Sequence, residues 1–351
     1  MTALADILKA RIAATGPMRL SDYMAECLLH PAHGYYATRD PFGVDGDFTT
    51  APEISQMFGE LLGLCLAQYW LDLGRPAPFT LAELGPGRGT LRADVLRATR
   101  AVPGFHAAAR VHLVEASATL RTRQRKTLGD HPVTWADRAE DLPQAPLFLL
   151  ANEFFDALPI RQFRRVGMGW RETVVGVEDG ALRLGLSAPG AFGVVAHRLG
   201  DTKEGEVVEI CPAAGPVMEG IGQRIAAHGG LALVIDYGGW TSLGDTFQAM
   251  KAHRFTDPMA EPGEADLTAH VDFQALAAAS PAAQSCVTQA HLLTALGIAA
   301  RAERLAQRLT GPALAAHHAA TRRLTAPEEM GHLFKALAVF PPGAPLPPGF
   351  A

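Results

Sequence analysis

Three glycines and an acid lie close together in residues 79–97, which read FTLAELGPGRGTLRADVLR. An apolar run comes first, Gly85, Gly87 and Gly89 follow it, and apolar residues then recur at helical spacing. This order predicts a strand, a tight turn and a helix. Because glycine has no Cβ, the backbone of such a turn can approach a ligand closely, and the N–H groups at the helix start face that ligand. The stretch therefore predicts a ligand-binding turn.

The spacing of the glycines and the acid before them restrict the class of ligand. The glycines follow G-x-G-x-G rather than the G-x-G-x-x-G of dinucleotide-binding proteins. Glu83 lies two residues before the first glycine. A carboxylate at that place repels a pyrophosphate and suits a cation or a ligand that carries an ammonium group. A glycine-rich connection in some other α/β protein is the alternative interpretation.

The turn resembles motif I of the class I S-adenosylmethionine (SAM) methyltransferases, whose ligand carries both a sulfonium and an α-ammonium group. This resemblance implies an α/β chain with the class I methyltransferase fold, a Rossmann-like doubly wound sheet. It also implies SAM as the cofactor, with contacts from the turn and from the acid before it: Glu83, Gly85, Pro86, Gly87 and Gly89.

Two further acids follow the runs that predict the next strands. Residues 110–115 form an apolar-rich run that ends at Glu115, and an acid at the tip of that strand can accept both hydroxyls of a ribose. A surface glutamate is the alternative. Residues 132–137 predict a third strand, and Asp137 lies near the place where this fold often has an adenine contact.

A polar and aromatic segment follows the predicted fourth strand, residues 146–150. Ligands of open α/β sheets bind outside the carboxyl ends of the strands, so this segment is expected to face the transferable methyl group. Its acids, Glu153 and Asp156, are the candidate catalytic residues. The alternative roles are an acid at a helix N-terminus and a helix cap.

An N-terminal helical segment precedes the glycine turn. Apolar residues within 4–12 share one helical face that ends at Gly16, and Ser21 is a suitable cap for a second helix. Residues 33–53 are irregular and predict a loop that covers substrate or cofactor. This loop ends at Thr50 and Glu53, whose spacing predicts a capping box at the start of a long amphipathic helix.

The segment GDFTTAPEISQMFGELLG, residues 46–63, resembles the segment before motif I in the MidA-like methyltransferases. That family contains the mitochondrial complex I assembly-factor arginine methyltransferase and its bacterial relatives. NEFFDALPI after the fourth strand and the PG-x-x-DLTAHVDF pattern further on also resemble the family, in the same order along the chain. The resemblance implies symmetric ω-N dimethylation of one arginine in the 49-kDa-type core subunit of respiratory complex I. Thr50 and Asn152, which lie within two of these segments, are further expected contacts with the cofactor.

The chemistry of an arginine substrate is consistent with acidic residues after the predicted fourth strand. A guanidinium is protonated at physiological pH and its charge is delocalised, so its nitrogens are poor nucleophiles. Carboxylates in bidentate contact can localise the charge and orient one nitrogen lone pair, a role open to Glu153 and Asp156. Two other functions stay open: a base or small-molecule N-methyltransferase, and a non-catalytic SAM-binding assembly factor that holds a partner with its N-terminal helices.

The expected organisation is a helical segment with its loop over residues 1–75 and a methyltransferase domain over residues 76–351. Residues 161–210 alternate in the β manner and predict a β-rich insertion, with a hairpin turn at 178–180. Residues 231–238 predict a fifth strand, and residues 285–289 and 334–340 predict the last two.

Composition excludes several function classes. Lys and Arg number 31 against 36 Asp and Glu, a net charge of −5, which argues against general nucleic-acid binding. Four cysteines are scattered without a C-x-x-C pair, so reduced thiols and no zinc or other metal site are expected. No apolar run reaches the ~20 residues of a membrane span, and charges interrupt any signal peptide. We expect a cytoplasmic protein in a bacterium, or a mitochondrial matrix protein in a eukaryote.

Overall fold

The computed structural model describes residues 2–38 and 49–351, and the chain passes repeatedly between two compact units. The first unit takes its residues from 1–48, 155–215 and 239–274; the second takes 49–154, 216–238 and 275–351. The boundary expected between residues 75 and 76 therefore falls inside the second unit. Residues 39–48 of the predicted covering loop lie outside the described residues.

The helices of the described residues are, in chain order, α1 (Ala3–Thr15), α2 (Leu20–Leu29), α3 (Tyr35–Thr38), α4 (Ala51–Ile54), α5 (Gln56–Asp72), α6 (Thr90–Thr99), α7 (Phe105–Ala108), α8 (Ala118–Leu128), α9 (Ala214–His228), α10 (Phe273–Ala279), α11 (Gln289–Ala295), α12 (Ile298–Ala306) and α13 (Gly311–Thr325). The strands are β1 (Met18–Arg19), β2 (Phe79–Leu84), β3 (Ala109–Val114), β4 (Val133–Ala136), β5 (Leu147–Asn152), β6 (Arg161–Val166), β7 (Gly169–Glu178), β8 (Ala181–Leu186), β9 (Val207–Ile210), β10 (Gly230–Gly239), β11 (Gln248–Lys251), β12 (Arg254–Thr256), β13 (Asp266–Thr268), β14 (Val271–Asp272), β15 (Ala283–Thr288) and β16 (Phe334–Phe340).

The second unit is built on a mixed sheet with the strand order β15-β16-β10-β5-β2-β3-β4. Strands β10, β5, β2, β3 and β4 run parallel, so their carboxyl ends lie at one edge. Strand β16 pairs antiparallel with both β10 and β15. All seven strands predicted for this sheet are confirmed, and the architecture is the expected Rossmann-like α/β sheet.

The centre of this sheet is buried on both faces. Every residue of β2 is buried, as is typical of parallel sheets. Phe79 of β2 packs edge-on against Phe148 of β5, with ring centroids 5.0 Å apart. Trp70 of α5 packs edge-on against Phe105, with centroids 5.3 Å apart, and both rings also contact Phe79. The sheet is therefore held in a continuous aromatic and aliphatic core.

Two predicted helix caps are wrong. The backbone pairs as β1 as far as Arg19, so α2 begins at Leu20 and Ser21 lies inside its first turn. Thr50 precedes α4 without a side-chain cap bond, and α4 ends at Ile54. The long helix α5 begins after Ser55, whose hydroxyl accepts a hydrogen bond from the Met57 amide at 3.3 Å.

The first unit contains the predicted β-rich insertion. Strand β7 pairs antiparallel with β1, β6 and β8, and β6 also pairs with β9. The predicted hairpin turn is confirmed, since Asp179 and Gly180 join β7 to β8 with φ of 50° and 73°. Strands β12, β11 and β13 form a separate small sheet. The N-terminal segment therefore shares a sheet with the insertion.

Within residues 2–38 and 49–351, no helix has the length and apolar character needed to cross a membrane. The same part of the chain contains no group of three or more His, Cys, Asp or Glu side chains arranged to hold a metal ion. Cys27, Cys65, Cys211 and Cys286 are free thiols.

A buried ion pair joins β2 to α6 across the glycine turn. Arg92 Nε donates to Glu83 Oε2 at 3.1 Å, and Arg92 Nη2 donates to the Ala82 carbonyl at 2.6 Å. Both side chains are almost completely excluded from solvent. Burial raises the pKa of Glu83 above its usual range, and the positive charge of Arg92 opposes that rise. Each group thus depends on the other for charge compensation.

We expect Arg92→Met to reduce the free energy of unfolding by about 3 to 5 kcal/mol near neutral pH, because it leaves the Glu83 carboxylate buried without a counter-charge. Removing Arg92 raises the pKa of Glu83 further above its unfolded value. The native state then binds more protons than the unfolded state between the two pKa values, so the variant's stability falls as pH rises through that window. Urea unfolding at acidic and neutral pH measures both effects.

The matched control is Arg100→Met, which removes an exposed arginine at the C-terminal end of the same helix. An exposed charge contributes little to the free energy of unfolding. We expect a loss below about 1 kcal/mol with little pH dependence. Equal losses in the two variants would contradict a special role for the buried pair.

Candidate active site

The glycine turn has a backbone that other residues adopt only with strain. Gly85, Gly87 and Gly89 have φ of 58°, 52° and 83°. A Cβ at Gly85 would lie 2.9 Å from Cδ2 of Phe154, closer than atoms pack. Gly85 is exposed, so its backbone is accessible to a ligand at the end of β2. The turn therefore forms a cradle that only glycine leaves open.

Hydrogen bonds fix both ends of this turn. The Gly85 amide donates to the Val114 carbonyl at 3.1 Å, which ties the turn to the end of β3. The Gly89 amide donates to the carbonyl of the buried Pro86 at 2.7 Å, and α6 begins at the next residue, Thr90. The backbone is thus held in place before any ligand binds.

The acid before the turn, Glu83, already has a partner within the protein. Glu83 is paired with Arg92 and is not exposed at the turn. Its carboxylate therefore holds the helix that follows the turn. Its predicted contact with the cofactor stays a prediction.

Glu115 follows directly after β3 and lies beside the glycine turn. Its Oε1 accepts a hydrogen bond from the Ser117 amide at 2.8 Å, and its Oε2 accepts one from Gln124 Nε2 at 3.1 Å. The same Gln124 nitrogen donates to the Gly87 carbonyl at 2.8 Å. Burial raises the pKa of Glu115, and its hydrogen bonds oppose that rise. The structure thus brings the predicted ribose acid and the glycine turn together.

Asp137 lies at the same edge of the sheet, directly after β4. Its side chain is 78% exposed and pairs with Arg121 Nη2 at 2.5 Å. Arg121 also donates to the backbone carbonyl of Glu115 from Nε at 2.7 Å. Asp137 is therefore connected to the predicted ribose acid through one arginine, and its contact with an adenine stays a prediction.

Glu153 combines an unusual backbone with a fixed side chain at the carboxyl end of β5. Its φ is 50°, and residues other than glycine that adopt such a conformation cluster at functional sites. Its Oε1 accepts hydrogen bonds from Asn152 Nδ2 and from the Ala51 amide, both at 3.0 Å. Its own amide donates to the Ile235 carbonyl at 2.9 Å. The carboxylate is therefore held in one orientation at the edge where the parallel strands end.

The short helix α4 connects this acid to the glycine turn. Thr50 occupies the position before its first residue, and the next amide, of Ala51, binds Glu153. Glu53 accepts a hydrogen bond from the Thr90 hydroxyl at 2.6 Å, at the start of α6. Glu53 of the predicted capping box thus links α4 to α6, and the Ala51 amide links α4 to Glu153.

Asp156 belongs to the first unit, whereas Glu153 belongs to the second. Asp156 is buried, and its backbone carbonyl accepts a hydrogen bond from the Ala269 amide at 3.0 Å. In the same unit, the Tyr36 hydroxyl donates to Asp266 Oδ1 at 2.8 Å. Burial raises the pKa of Tyr36, and the negative charges of Asp266 and Asp156 raise it further. Joint action of Glu153 and Asp156 stays a prediction.

Sequence reasoning missed two buried residues that support the site. Asp236 on β10 is fully buried; its Oδ2 accepts from the Phe154 amide at 3.2 Å and its Oδ1 from the Tyr237 amide at 2.9 Å. Asp236 thereby fixes the backbone directly after Glu153. Its position near the end of an apolar strand is the feature of the sequence that could have identified it. Gln124 lies on a predominantly polar helix, where nothing in the sequence marks it.

The described residues of the second unit fit a ligand that combines an adenosyl group with an amino acid. The open cradle at Gly85 admits such a ligand to the start of α6, and Glu115 offers carboxylate oxygens to hydroxyl groups. The buried Oδ1 of Asn152 accepts no hydrogen bond from any residue that the structure describes. A buried oxygen of this kind suits a donor on a ligand, such as an ammonium or amino group.

Residues 61–292 match the family model of the S-adenosyl-L-methionine-dependent methyltransferases. The chain is 38% identical to the mitochondrial protein arginine methyltransferase NDUFAF7 of Bos taurus, an alignment that covers 94% of this chain and 82% of that protein. It is 37% identical to the protein of the same name in Homo sapiens, over 95% of this chain and 82% of that protein.

Two solved structures are similar over nearly the whole chain. A Burkholderia thailandensis protein bound to S-adenosyl-homocysteine superposes with a TM-score of 0.84 at 32% identity, covering 99% of this chain and 94% of that chain. A native structure from the same organism gives a TM-score of 0.80 at 31% identity, covering 99% and 93%. The chain therefore belongs to the family of S-adenosyl-L-methionine-dependent methyltransferases, and its cofactor is SAM.

Proposed function

We propose that the chain methylates an arginine side chain of a protein, and that its product is the symmetric ω-N dimethylated form. The observation that carries the proposal is the carboxylate of Glu153, held at the carboxyl end of β5 by Asn152 and the Ala51 amide. The names of the Bos taurus and Homo sapiens relatives, both protein arginine methyltransferases, support the same substrate class. We further propose a 49-kDa-type core subunit of respiratory complex I as the protein substrate.

The proposed role of Glu153 follows from the charge of arginine. SAM supplies, when bound, a methyl group on a positively charged sulfur. A guanidinium becomes a better nucleophile when a carboxylate attracts its charge towards two nitrogens, leaving the third nitrogen's lone pair to be directed at the methyl group. A carboxylate that is already fixed in orientation does this without further loss of side-chain freedom. Asp156 is the proposed second acid for the same guanidinium.

The proposed contacts to the cofactor come from the second unit. Glu115 accepts the ribose hydroxyls, Asp137 lies near the adenine, and Asn152 accepts a donor of the amino-acid part. The glycine turn with Pro86, together with Glu83 and Thr50, completes the set of proposed contacts. With these proposed contacts, we expect the methyl group to lie near the end of β5, where Glu153 lies.

The proposed location follows the proposed substrate. The relatives are mitochondrial by name. We propose the mitochondrial matrix for a eukaryotic chain and the cytoplasm for a bacterial one.

The direct test of the function is transfer of a labelled methyl group from SAM to the isolated complex I core subunit. Fragment mass spectrometry then identifies the modified side chain, and replacement of that arginine by lysine abolishes the signal. SAM binding without transfer to any arginine would favour a non-catalytic assembly factor. Transfer to a base or a small molecule, but not to the subunit, would favour the other type of N-methyltransferase.

Gly87→Val is expected to abolish SAM binding, because a branched side chain at φ of 52° strains the turn and occupies the cradle. Titration calorimetry with SAM measures the affinity, and circular dichroism verifies the fold. The matched control is Gly176→Val on β7, where a Cβ meets no atom within 4 Å. Unchanged SAM affinity in the Gly87 variant would contradict the assignment of the turn.

Glu115→Ala is expected to weaken SAM binding by roughly 2 to 4 kcal/mol, since two hydrogen bonds to a charged acceptor are lost and their energies are not fully additive. Thermal unfolding without ligand is expected to change little. Glu140→Ala is a suitable control, because Glu140 is an exposed acid whose side chain pairs with the exposed Arg138. A large loss of stability without ligand would instead give Glu115 a structural role.

Glu153→Gln keeps the shape of the side chain and removes its charge. SAM affinity is expected to persist, while methyl transfer falls by roughly two to three orders of magnitude, as when one strong transition-state interaction is lost. Asp156→Asn is expected to behave alike or more mildly. Single-turnover transfer from labelled SAM measures the effect, and calorimetry provides the binding control. Near-normal turnover in both variants would leave the two acids without a catalytic role.

A further inference from the structure

Gln124 of α8 is a fully buried glutamine whose side chain uses all its hydrogen-bonding groups. Its Nε2 donates to the Gly87 carbonyl at 2.8 Å and to Glu115 Oε2 at 3.1 Å. Its Oε1 accepts a hydrogen bond from Trp135 Nε1 at 2.8 Å. The side chain is 0% exposed, so these three bonds use both amide protons and the oxygen without help from bulk solvent.

The three partners belong to three different elements of the sheet edge. Gly87 lies in the turn after β2, Glu115 follows β3, and Trp135 lies on β4. The side chain of Gln124 thus fixes the turn and the acid relative to each other and links both to a third strand, β4. Only a primary amide of this length can donate twice and accept once here, because a carboxylate has no protons to donate at neutral pH and a thioether has none at all.

Two donors fix the carboxylate of Glu115, one on each oxygen. The Ser117 amide donates to Oε1 at 2.8 Å, and Gln124 donates to Oε2. A carboxylate oxygen accepts more than one hydrogen bond, so both oxygens keep acceptor capacity for the hydroxyls of a ribose. The bond from Gln124 therefore orients the acid without occupying it.

We propose that Gln124 is a positioning residue for cofactor binding, which holds the Glu115 carboxylate and the Gly87 peptide in the orientation that the nucleoside part of SAM requires. This inference rests on the proposed ribose-binding role of Glu115. At metal sites, the loss of a group that orients a ligating side chain typically weakens binding about 10- to 100-fold, and we expect an effect of the same order here.

A second buried glutamine in the same unit provides a comparison. Gln289 is also 0% exposed, and its Nε2 donates to the Leu324 carbonyl at 2.8 Å. Its Oε1 accepts no hydrogen bond from the described residues. Gln289 thus has the burial of Gln124 but joins α11 to the end of α13, not to the glycine turn or the acid. Replacing Gln289 therefore measures the effect of losing a buried side-chain amide in general, and replacing Gln124 measures the effect of losing the amide that contacts the turn and the acid.

The first experiment is a double-mutant cycle on the affinity for S-adenosyl-homocysteine, measured by calorimetry with Gln124→Met, Glu115→Ala and the double variant. Gln124→Met alone is expected to weaken binding about 10- to 100-fold. In the Glu115→Ala background the same replacement is expected to weaken binding less than about threefold, because only the bond to the Gly87 carbonyl remains to be lost. Fully additive losses would overturn the proposal.

The second experiment uses Gln124→Glu, which keeps the shape and the acceptor for Trp135 but removes both donated protons. It also places a second carboxylate against Glu115, with Arg121, Arg125 and the exposed Asp137 as the other charges nearby. Affinity is expected to be weak at about pH 8 and to recover towards about pH 6, where one proton is shared between the carboxylates. The wild-type protein is expected to show no such recovery, because protonation of Glu115 can only weaken its binding of hydroxyls.

The control variant is Gln289→Met, which is expected to lower the melting temperature and to leave the affinity for S-adenosyl-homocysteine unchanged. Failure of the wild-type protein to bind S-adenosyl-homocysteine would remove the basis of the proposal, and so would an unchanged affinity in Glu115→Ala. Wild-type affinity in both Gln124 variants, with a clear loss in Glu115→Ala, would overturn the role of Gln124 alone. The failure of this inference is therefore distinguishable from the failure of the proposed function.

Discussion

The buried ion pair between Glu83 and Arg92 is the constraint on which the rest of the site depends. The two residues lie on opposite sides of the glycine turn, one on β2 and one on α6. Bringing both charges out of water is costly, and the cost is offset only when strand and helix keep one mutual geometry. The turn between them therefore has a fixed span. Gly85, Gly87 and Gly89 adopt positive φ within that span because the chain must reverse over so few residues.

The two acids proposed to contact the ligand and the substrate, Glu115 and Glu153, are held in a different way. Glu115 and Glu153 each accept one hydrogen bond from a backbone amide and one from a side-chain amide, and these donors orient the two carboxylates. At Glu153 this arrangement accompanies a strained backbone, which Asp236 supports through the next amide. The carboxylates thus differ in their contacts: Glu83 pairs with Arg92 inside the fold, and the other two lie after β3 and β5 at the edge where the parallel strands end.

The sequence predicted the sheet because its strands are continuous apolar runs, and it predicted the edge because Glu115 and Asn152 come directly after such runs. Partners across the fold were not predictable in the same way. Glu53 has the spacing of a capping box, but it accepts a hydrogen bond from Thr90. Whether its carboxylate binds Thr90 or the backbone at the start of α4 depends on how α4 packs. Gln124 gave no local signal, since its three partners lie on elements that only the folded sheet brings together. The division into two units likewise depends on contacts between distant segments.

The position of strand β16 determines when the sheet of the second unit can be completed during synthesis of the chain. It lies between β10 and β15, and it pairs with β10 from Phe334 to Val339. Translation proceeds from the N-terminus, so both neighbours are made before the strand that joins them. The first unit has all its segments once residue 274 has been made, whereas the second must wait for residue 340 to close its sheet. Domains fold as their segments become available. The glycine turn is among the earlier parts of the chain to be synthesised, yet the unit that holds it is the last to be completed.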